Sequence, residues 1–454
     1  MRTPFRETLP GVRAMLHIAI PLALAELGWM SMGVVDILVV GRLPNSAVAI
    51  GGASLGNAIF FGIAVFGIGL MSGLDTLVSH AFGANDLPDA RRSLAAGMAL
   101  ALTASAILAA LILGALPLLG ALGVTPEVRV QAIIYIRVLI WSLPLLLLYT
   151  VFRRYLQGIH FVRPVTFVLV TANLVNLGGN WLFVFGHWGL PALGLRGSAL
   201  STLLARLYLA GCLCAAVRWR DPEAFHAPFR DVGPILARVR RLLRLGLPAA
   251  MSVGFEVGVF CVVTALVGTL GAVSLAAHTV ALNAASLSYT VPLGISSAAA
   301  VSVGRATGAR DPRGAAKAGW IAIGLAVAWE LATSACFLLL PRQIGKAYTE
   351  DERVISSAVT LLAIAAVFQL CDGLQTVATG ALRGLGNTRT PMLWNLVGYW
   401  VVGLPVGYWL CFVKGWGAAG LWDGLCLALV LIGVGLTLEW ARESASAGIQ
   451  SEAP

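Results

Sequence analysis

Six acidic side chains lie within long apolar stretches of this sequence, where a charge is costly. A charged side chain at the centre of a bilayer costs about 2.5–3.5 kcal/mol on insertion scales, so six without partners could not all face lipid. We expect such carboxylates to face a polar cavity, to pair with donors or to lie near an interface. Each could hold a proton or a cation. They are Glu26, Asp36, Asp75, Glu256, Glu330 and Asp372.

Asp36, Glu256 and Asp372 are the strongest functional candidates, because each is the sole acid in the outer half of its apolar stretch. Burial in a low dielectric favours the uncharged carboxyl, which brings protonation within physiological reach. A group that can hold either a proton or another cation can exchange one for the other, which is the chemistry of an antiporter. Glu26, ten residues before Asp36, is expected to extend the same polar path.

Asparagines in the fifth apolar stretch add neutral oxygen ligands. Asn176 and Asn180 are four residues apart and therefore share one face of a helix. Their carbonyl oxygens could coordinate a cation together with Asp36, or they could bond between helices. We favour the first interpretation.

The remaining intramembrane charges are expected to be structural. Asp75 is predicted to lie near Arg91 or Arg92 or at an interface within the first half, and Glu330 to be a buried structural carboxyl. Arg137 and Arg206 are available to neutralise carboxylates of the first half. The seven cysteines all lie in apolar stretches without a metal-ligand pattern, so we predict core thiols and no metal site.

The composition requires lipid as the solvent. Of the 454 residues, 58% are hydrophobic and 11% charged, and the mean hydropathy is +0.86; a soluble domain carries about a quarter charged residues. Nucleic-acid binding is excluded because the basic residues occupy short loops between apolar stretches.

A membrane span needs about 20 apolar residues, and the sequence contains twelve stretches of about this length or longer. It therefore predicts an all-α polytopic membrane protein with spans at 15–40, 49–78, 93–115, 131–151, 165–186, 198–217, 246–269, 277–303, 318–340, 354–379, 392–413 and 420–439.

Basic residues set the predicted topology. If the N-terminus is placed on the cytoplasmic side, 22 of the 31 Lys and Arg residues, Arg2 among them, fall on that side, 7 fall on the outer side and 2 lie within spans. This excess favours two cytoplasmic termini in a bacterial inner membrane. The apolar segment from Leu16 lacks a cleavage pattern and is predicted to be the first span. We divide the chain into an N-terminal lobe 1–217, a cytoplasmic linker 218–245 and a C-terminal lobe 246–454.

The two halves repeat each other. Pro21 corresponds to Pro248, and residues 80–86 correspond to 305–311, at offsets of 227 and 225. Six spans per half return the chain to the same side, so the repeat is parallel. Halves of this kind can rock against each other and give alternating access to a central site.

Several segments, taken in the order in which they occur along the chain, resemble those of the multidrug and toxic compound extrusion (MATE) family, NorM-like branch. The resemblance extends from Pro21 to about Ala441. The resemblance implies two six-helix lobes around a central cleft and export of organic cations in exchange for H⁺ or Na⁺. The segments are Met32-Gly33-Val34-Val35-Asp36, Leu74-Asp75-Thr76-Leu77, Leu156-Gln157-Gly158, Gly254-Phe255-Glu256, Ala276–Asn283, Pro292-Leu293-Gly294, Asp372-Gly373-Leu374-Gln375 and Gly380–Gly384.

The same resemblance implies roles for individual residues. Asp36 matches the acid of the first lobe, and Asn176 and Asn180 match a fifth-helix cation site that could hold Na⁺ with Asp36. Thr202 on span 6 is a weaker correspondence. Glu256 and Asp372 match the acids of the second lobe, while Glu26, Asn57 and Asn283 are expected in the substrate cleft.

One position departs from the family pattern. Some Na⁺-coupled members resembling this branch place a tyrosine one turn before the acid that matches Asp372. Here that residue is Phe368, which has no oxygen ligand. This favours H⁺ over Na⁺ at the second-lobe acids.

Other functions fit the sequence less well. A lipid-linked oligosaccharide flippase of the same superfamily would line its cleft with basic residues. Here the predicted spans contain two arginines and six acidic residues, which favours a cationic substrate. A membrane enzyme would need a motif such as HExxH or GxSxG, which the sequence lacks. We therefore predict a monomeric non-enzymatic transporter of small organic cations in the lipid bilayer, with no cofactor beyond its coupling ion.

Overall fold

The computed structural model describes residues 4–43, 46–120, 125–225 and 232–450, and every regular element in these ranges is helical. Twelve helices are long and apolar enough to cross a membrane, which confirms the predicted fold class and number of spans. Arg2 and residues 226–231 of the predicted linker lie outside the described residues. Spans 1 to 12 are Gly11–Val40, Ser46–Gly83, Leu87–Ala115, Pro126–Gly158, Arg163–Phe185, Leu195–Arg220, Ile235–Gly268, Ala272–Gly308, Pro312–Leu339, Glu352–Leu385, Arg389–Val413 and Ala418–Ala445.

The same turn follows spans 2 and 8. Asn85 and Arg310 adopt left-handed backbone conformations, with φ of 58° and 56°, which let the chain leave a helix sharply. The next residues, Asp86 and Asp311, cap the following helices by accepting a hydrogen bond from the backbone N–H three residues on, at 3.0 and 2.8 Å. These turns lie 225 residues apart, as the repeat predicts.

Three spans are interrupted. Span 2 has a turn at Ser72, whose hydroxyl donates to the carbonyl of Gly69 at 2.6 Å. Span 4 passes through a 3₁₀ segment, Ile140–Ser142, just before Pro144, which lacks the N–H needed to continue the helix ladder. Span 11 contains two π-helical segments, Leu396–Gly403 and Trp409–Val413, a form that often marks functional sites.

The helices form two compact units, and spans 1 and 7 each contribute to both. The divisions follow Ala23 and Ala250, two residues beyond Pro21 and Pro248, which are prolines inside helices and lower the cost of a bend there. The first unit comprises Met1–Ala23, Gly83–Asn85 and Met251–Pro454, and the second comprises Leu24–Phe82 and Asp86–Ala250.

Glycines bring span 7 close to span 2 within the second unit. A Cβ added at Gly246 would lie 2.1 Å from the carbonyl oxygen of Leu70, and one added at Gly73 would lie 2.9 Å from a methyl of Leu242. Small residues permit this approach between helices in a membrane. The first part of span 7 is thereby fixed against the helix that follows span 1.

A buried ion pair fixes the start of the predicted linker to the second unit. The guanidinium of Arg91 donates to both oxygens of Asp221 at 2.7 to 3.0 Å, and the hydroxyl of Tyr155 donates to the same carboxylate at 2.7 Å. Phe225 then packs edge-on against Phe152. Burial opposes ionisation of Asp221, but the hydrogen bonds outweigh it and hold the pKa of this carboxyl below its usual value.

Replacing Asp221 should destabilise the protein more than replacing the neighbouring acid. Asp221→Asn leaves the partly buried guanidinium of Arg91 poorly compensated, and we expect it to lower the free energy of unfolding by about 1–3 kcal/mol. Thermal unfolding of the detergent-purified protein is the measurement. Glu223→Gln is the control, because Glu223 pairs with the same Arg91 but is 71% exposed, and it should change little.

The stabilising contribution of Asp221 depends on pH in a direction that follows from its lowered pKa. Since the pKa of Asp221 is lowered in the folded protein, its stabilising contribution is complete above the unfolded value of 3.8 and declines only as the pH falls through the lower folded value. The difference between the wild type and Asp221→Asn should therefore be constant between about pH 6 and pH 8. A difference that disappears within that window would contradict this assignment.

Candidate functional site

Asp36 lies at the centre of a hydrogen-bonded cluster in the second unit. The side-chain amides of Asn176 and Asn180 donate to its Oδ1 at 3.1 and 2.7 Å, and the hydroxyl of Thr202 donates to its Oδ2 at 3.0 Å. The two asparagines are fully buried and Thr202 nearly so. The structure thus brings together four residues that the sequence selected on spans 1, 5 and 6.

The approach of span 6 to span 5 positions Thr202. Asn176 and Asn180 share a face through their four-residue spacing, and Gly179 lies beside them. A Cβ added at Gly179 would lie 3.2 Å from the Cβ of Ser201, so this glycine leaves room for the residue next to Thr202. Close helix contact therefore places one hydroxyl and two amides around a single carboxylate.

The cluster can exist in two chemical forms. As placed, both amides direct N–H groups at Asp36, which stabilises the ionised carboxylate. The Oδ1 of Asn180 has no hydrogen-bond partner within the described part of the chain. Rotating a terminal amide by half a turn exchanges its donor and acceptor atoms, and would present that oxygen to a cation beside Asp36.

A second cluster, in the first unit, contains Glu256 and Asp372. Tyr289 donates to Glu256 Oε1 at 3.3 Å and accepts from the hydroxyl of Thr376, also at 3.3 Å. The carboxylates of Glu256 and Asp372 are close enough to interact electrostatically. The structure therefore brings both predicted acids of the C-terminal half together.

Glu330 adjoins this second cluster. It is 1% exposed and accepts hydrogen bonds from Thr333 at 2.7 Å and from Ser288 at 3.4 Å. A Cβ added at Gly373 would lie 2.5 Å from the Cγ of Glu330, and its carboxylate interacts electrostatically with Asp372. The carboxyl predicted to be structural is thus a third acid beside the two candidates.

Aromatic packing surrounds Phe368, one turn before Asp372. Its ring packs edge-on against Phe260 and tilted against Trp422, with centroids 6.0 and 5.5 Å apart. The nearby Tyr399 is fully buried and exchanges hydrogen bonds with Gln375 at 2.9 and 3.2 Å. The position one turn before Asp372 is therefore filled by an apolar ring without an oxygen ligand.

The other predicted residues lie outside the two clusters. Glu26 forms an ion pair with Arg153 in the second unit. Asn57 and Asn283 are exposed on spans 2 and 8 and take no part in the hydrogen bonds around Asp36 or Glu256.

Two surroundings were predicted for Asp75, a place near Arg91 or Arg92 and an interface within the first half. The structure supports the second, because the carboxylate pairs with Arg154 of span 4. Arg91 pairs with Asp221 and Glu223. The rotation of the packed helices decides which base a buried acid meets.

Sequence reasoning missed Tyr289 and Thr376. Thr376 follows Asp372 by four residues, so its shared helix face could have indicated it. Tyr289 lies on span 8, and no spacing relates it to Glu256 or Asp372. Only the packing of spans 7, 8 and 10 reveals its contact with Glu256.

Comparison with protein families gives two matches to one family model. The MatE model matches residues 21–182 and again 248–409. Both boundaries are displaced by 227 residues, which is the spacing of Pro21 and Pro248.

Curated relatives match over nearly the whole chain. A probable multidrug resistance protein NorM from Mesorhizobium japonicum is 36% identical over 447 residues, covering 95% of this chain and 94% of the relative. Another protein of that name, from Pseudomonas aeruginosa, is 36% identical over 445 residues, covering 95% and 90%.

Solved structures share the fold. The eukaryotic MATE transporter AtDTX14 superposes with a TM-score of 0.87 at 20% identity, covering 97% of this chain and 98% of that one. An outward-facing multidrug resistance MATE transporter of the MOP superfamily gives a TM-score of 0.85 at 21% identity, covering 96% and 97%.

Enlarging Gly179 should disturb the Asp36 cluster. Gly179→Val introduces a branched side chain against Ser201, and we expect overpacking to cost about 1–3 kcal/mol of stability. The matched control is Gly178→Val, because an added Cβ at Gly178 meets nothing within 4 Å and the change in helix propensity is the same. Thermal unfolding of the two purified variants compares them, and equal stability would contradict the close approach of spans 5 and 6.

Proposed function

The chain belongs to the MatE family, and from that premise we propose that it is a secondary antiporter that exports organic cations, drugs and toxic compounds in exchange for H⁺ or Na⁺. The names of the NorM relatives support the multidrug part of this proposal. The observation that carries it is the Asp36 carboxylate, surrounded within membrane spans by two amides and a hydroxyl. Intramembrane carboxylates of this kind characterise ion and proton pathways.

We assign the first coupling site to Asp36, Asn176, Asn180 and Thr202. Carboxylate, amide and hydroxyl oxygens are hard ligands that suit Na⁺, and the carboxylate can alternatively take a proton. The hydrogen bonds that the amides and hydroxyl now donate stabilise the carboxylate when the ion has left. The same residues thereby serve the loaded and the empty forms.

We assign the second coupling site to Glu256 and Asp372. Two carboxylates that interact in a low dielectric oppose each other's ionisation, so the pair favours uptake of a proton or cation. The oxygens nearby come from Tyr289 and Thr376, while Phe368 supplies none. This composition supports H⁺ rather than Na⁺ at the second site.

Ion uptake would drive export through alternating access of the two repeat halves. One charge moving across 100 mV supplies about 2.3 kcal/mol, so one or two ions could support substantial accumulation of an organic cation outside the cell. Acids attract the cation, and aromatic side chains bind lipophilic cations with loose selectivity. Glu26, Asn57 and Asn283 are our proposed contributors to the substrate cleft.

The role of the acids predicts which variants lose transport. Asp36→Asn and Asp372→Asn should each reduce dye efflux about tenfold or more, because each replaces a carboxylate that would hold the coupling ion with a neutral amide, and a tenfold loss corresponds to about 1.4 kcal/mol. Ethidium efflux from proteoliposomes, driven separately by imposed H⁺ and Na⁺ gradients, is the measurement. Comparing the two gradients identifies the coupling ion.

Glu127→Gln provides the matched control, since it makes the same chemical change at an exposed acid at the start of span 4. Efflux is normalised to the amount of folded protein. Wild-type efflux by both Asp36→Asn and Asp372→Asn would remove the site assignment. Absence of ion-dependent efflux by the wild type would count against antiport itself.

The proposed setting is the inner membrane of a bacterium, with a monomeric transporter, both termini in the cytoplasm and no cofactor beyond the coupling ion. The excess of basic residues on one side supports this orientation. A green fluorescent protein fused to the C-terminus should therefore fluoresce, and an alkaline phosphatase fused at the same place should be inactive. Phosphatase activity at that position would reverse the orientation.

A further inference from the structure

Span 6 carries a buried arginine next to the Asp36 cluster. Arg206 follows Thr202 by one helical turn, so the two side chains share a face, and Arg206 is 5% exposed. Its Nη1 donates to the hydroxyl of Ser142 at 2.5 Å, and its guanidinium lies 4.8 Å from the centre of the Phe60 ring. Its Nε has no hydrogen-bond partner in the described ranges.

These contacts leave the charge of Arg206 uncompensated. A guanidinium does not lose its proton in proteins, and a buried charge requires a counter-charge. The hydroxyl of Ser142 and the ring of Phe60 carry no negative charge. The compensation must come from a neighbouring ionised group.

Two ionisable side chains interact with Arg206 from the packed helices. Tyr135 on span 4 is 4% exposed and lies close enough to Arg206 to interact with it electrostatically, but a phenol is neutral at physiological pH. The other is Asp36 on span 1. Arg137, also on span 4, lies on an exposed face. Within the described residues, Asp36 therefore supplies the balancing charge.

We propose that Arg206 is the internal counter-charge of Asp36 and weakens the hold of this carboxylate on the coupling cation. The inference rests on the proposed function, in which Asp36 binds that cation. Arg206 does not ligate the ion. It acts through Asp36 and is a positioning residue.

The counter-charge sets the net charge of each form of the site. With Arg206 present, the empty site is neutral and the site loaded with a monovalent ion carries one positive charge. Without it, the empty site would be negative and the loaded site neutral, so the ion would be released with more difficulty. A divalent ion would leave two uncompensated positive charges, which favours monovalent ions and protons.

A double-mutant cycle tests the charge pairing without requiring transport. Asp36→Asn should destabilise the purified protein because it leaves Arg206 as an unpaired buried charge. Adding Arg206→Gln should remove that penalty, so the melting temperature of the double variant should exceed the additive expectation by several degrees. Additive losses would overturn the proposal.

Arg137→Gln in the same cycle is the matched control. It removes an arginine from an exposed position of span 4, so its effect should add to that of Asp36→Asn. Because this measurement uses no substrate and no gradient, it stands even if the wild type shows no efflux, an outcome that would instead refute the proposed function.

The ion dependence of efflux tests the functional part. In Arg206→Gln, the half-saturating concentration of the driving ion should fall about tenfold, as expected when a unit charge near the site is removed at an intermediate dielectric. Arg206→Lys keeps the charge and should stay within about twofold of the wild type. An unchanged value in Arg206→Gln, or an equal change in Arg206→Lys, would show that Arg206 only fills space.

Discussion

A charge within a bilayer needs compensation inside the protein, and this constraint explains the arrangement of the intramembrane acids. The charges of Glu26 and Asp75 are compensated by direct ion pairs with Arg153 and Arg154, respectively. Asp36 instead accepts three hydrogen bonds from neutral side chains. A carboxylate held in this way stays accessible to a cation, whereas one paired directly with arginine has its charge already satisfied.

The two acid clusters meet the same constraint differently. Asp36 has three hydrogen-bond donors and an arginine nearby, and these offset part of the cost of burying its charge. Glu256, Asp372 and Glu330 interact mainly with one another and with hydroxyl groups. Mutual repulsion in that cluster favours occupation by protons or cations. The two clusters therefore surround their acids with different kinds of partner.

The internal repeat duplicates the scaffold but not the candidate acids within the spans. Equivalent residues 227 apart reproduce the prolines of spans 1 and 7, and the caps at Asp86 and Asp311 reproduce the turns. By contrast, the position equivalent to Asp36 is Val263, and the position equivalent to Glu256 is Trp29. Backbone geometry is retained because every helix must satisfy its own hydrogen bonds in lipid, while a polar side chain is retained only where it has a use.

The number of spans, the repeat and the shared face of Asn176 and Asn180 could be predicted from the sequence, because they depend on hydrophobic length and on the period of a single helix. Asp36, Glu256 and Asp372 were selected from the cost of charge in lipid and from the family resemblance. The contact of Tyr289 with Glu256 and the pairing of Arg154 with Asp75 could not be predicted in this way. Such partners depend on how neighbouring helices rotate and pack, and residues distant in the chain leave no periodic signal of their contact.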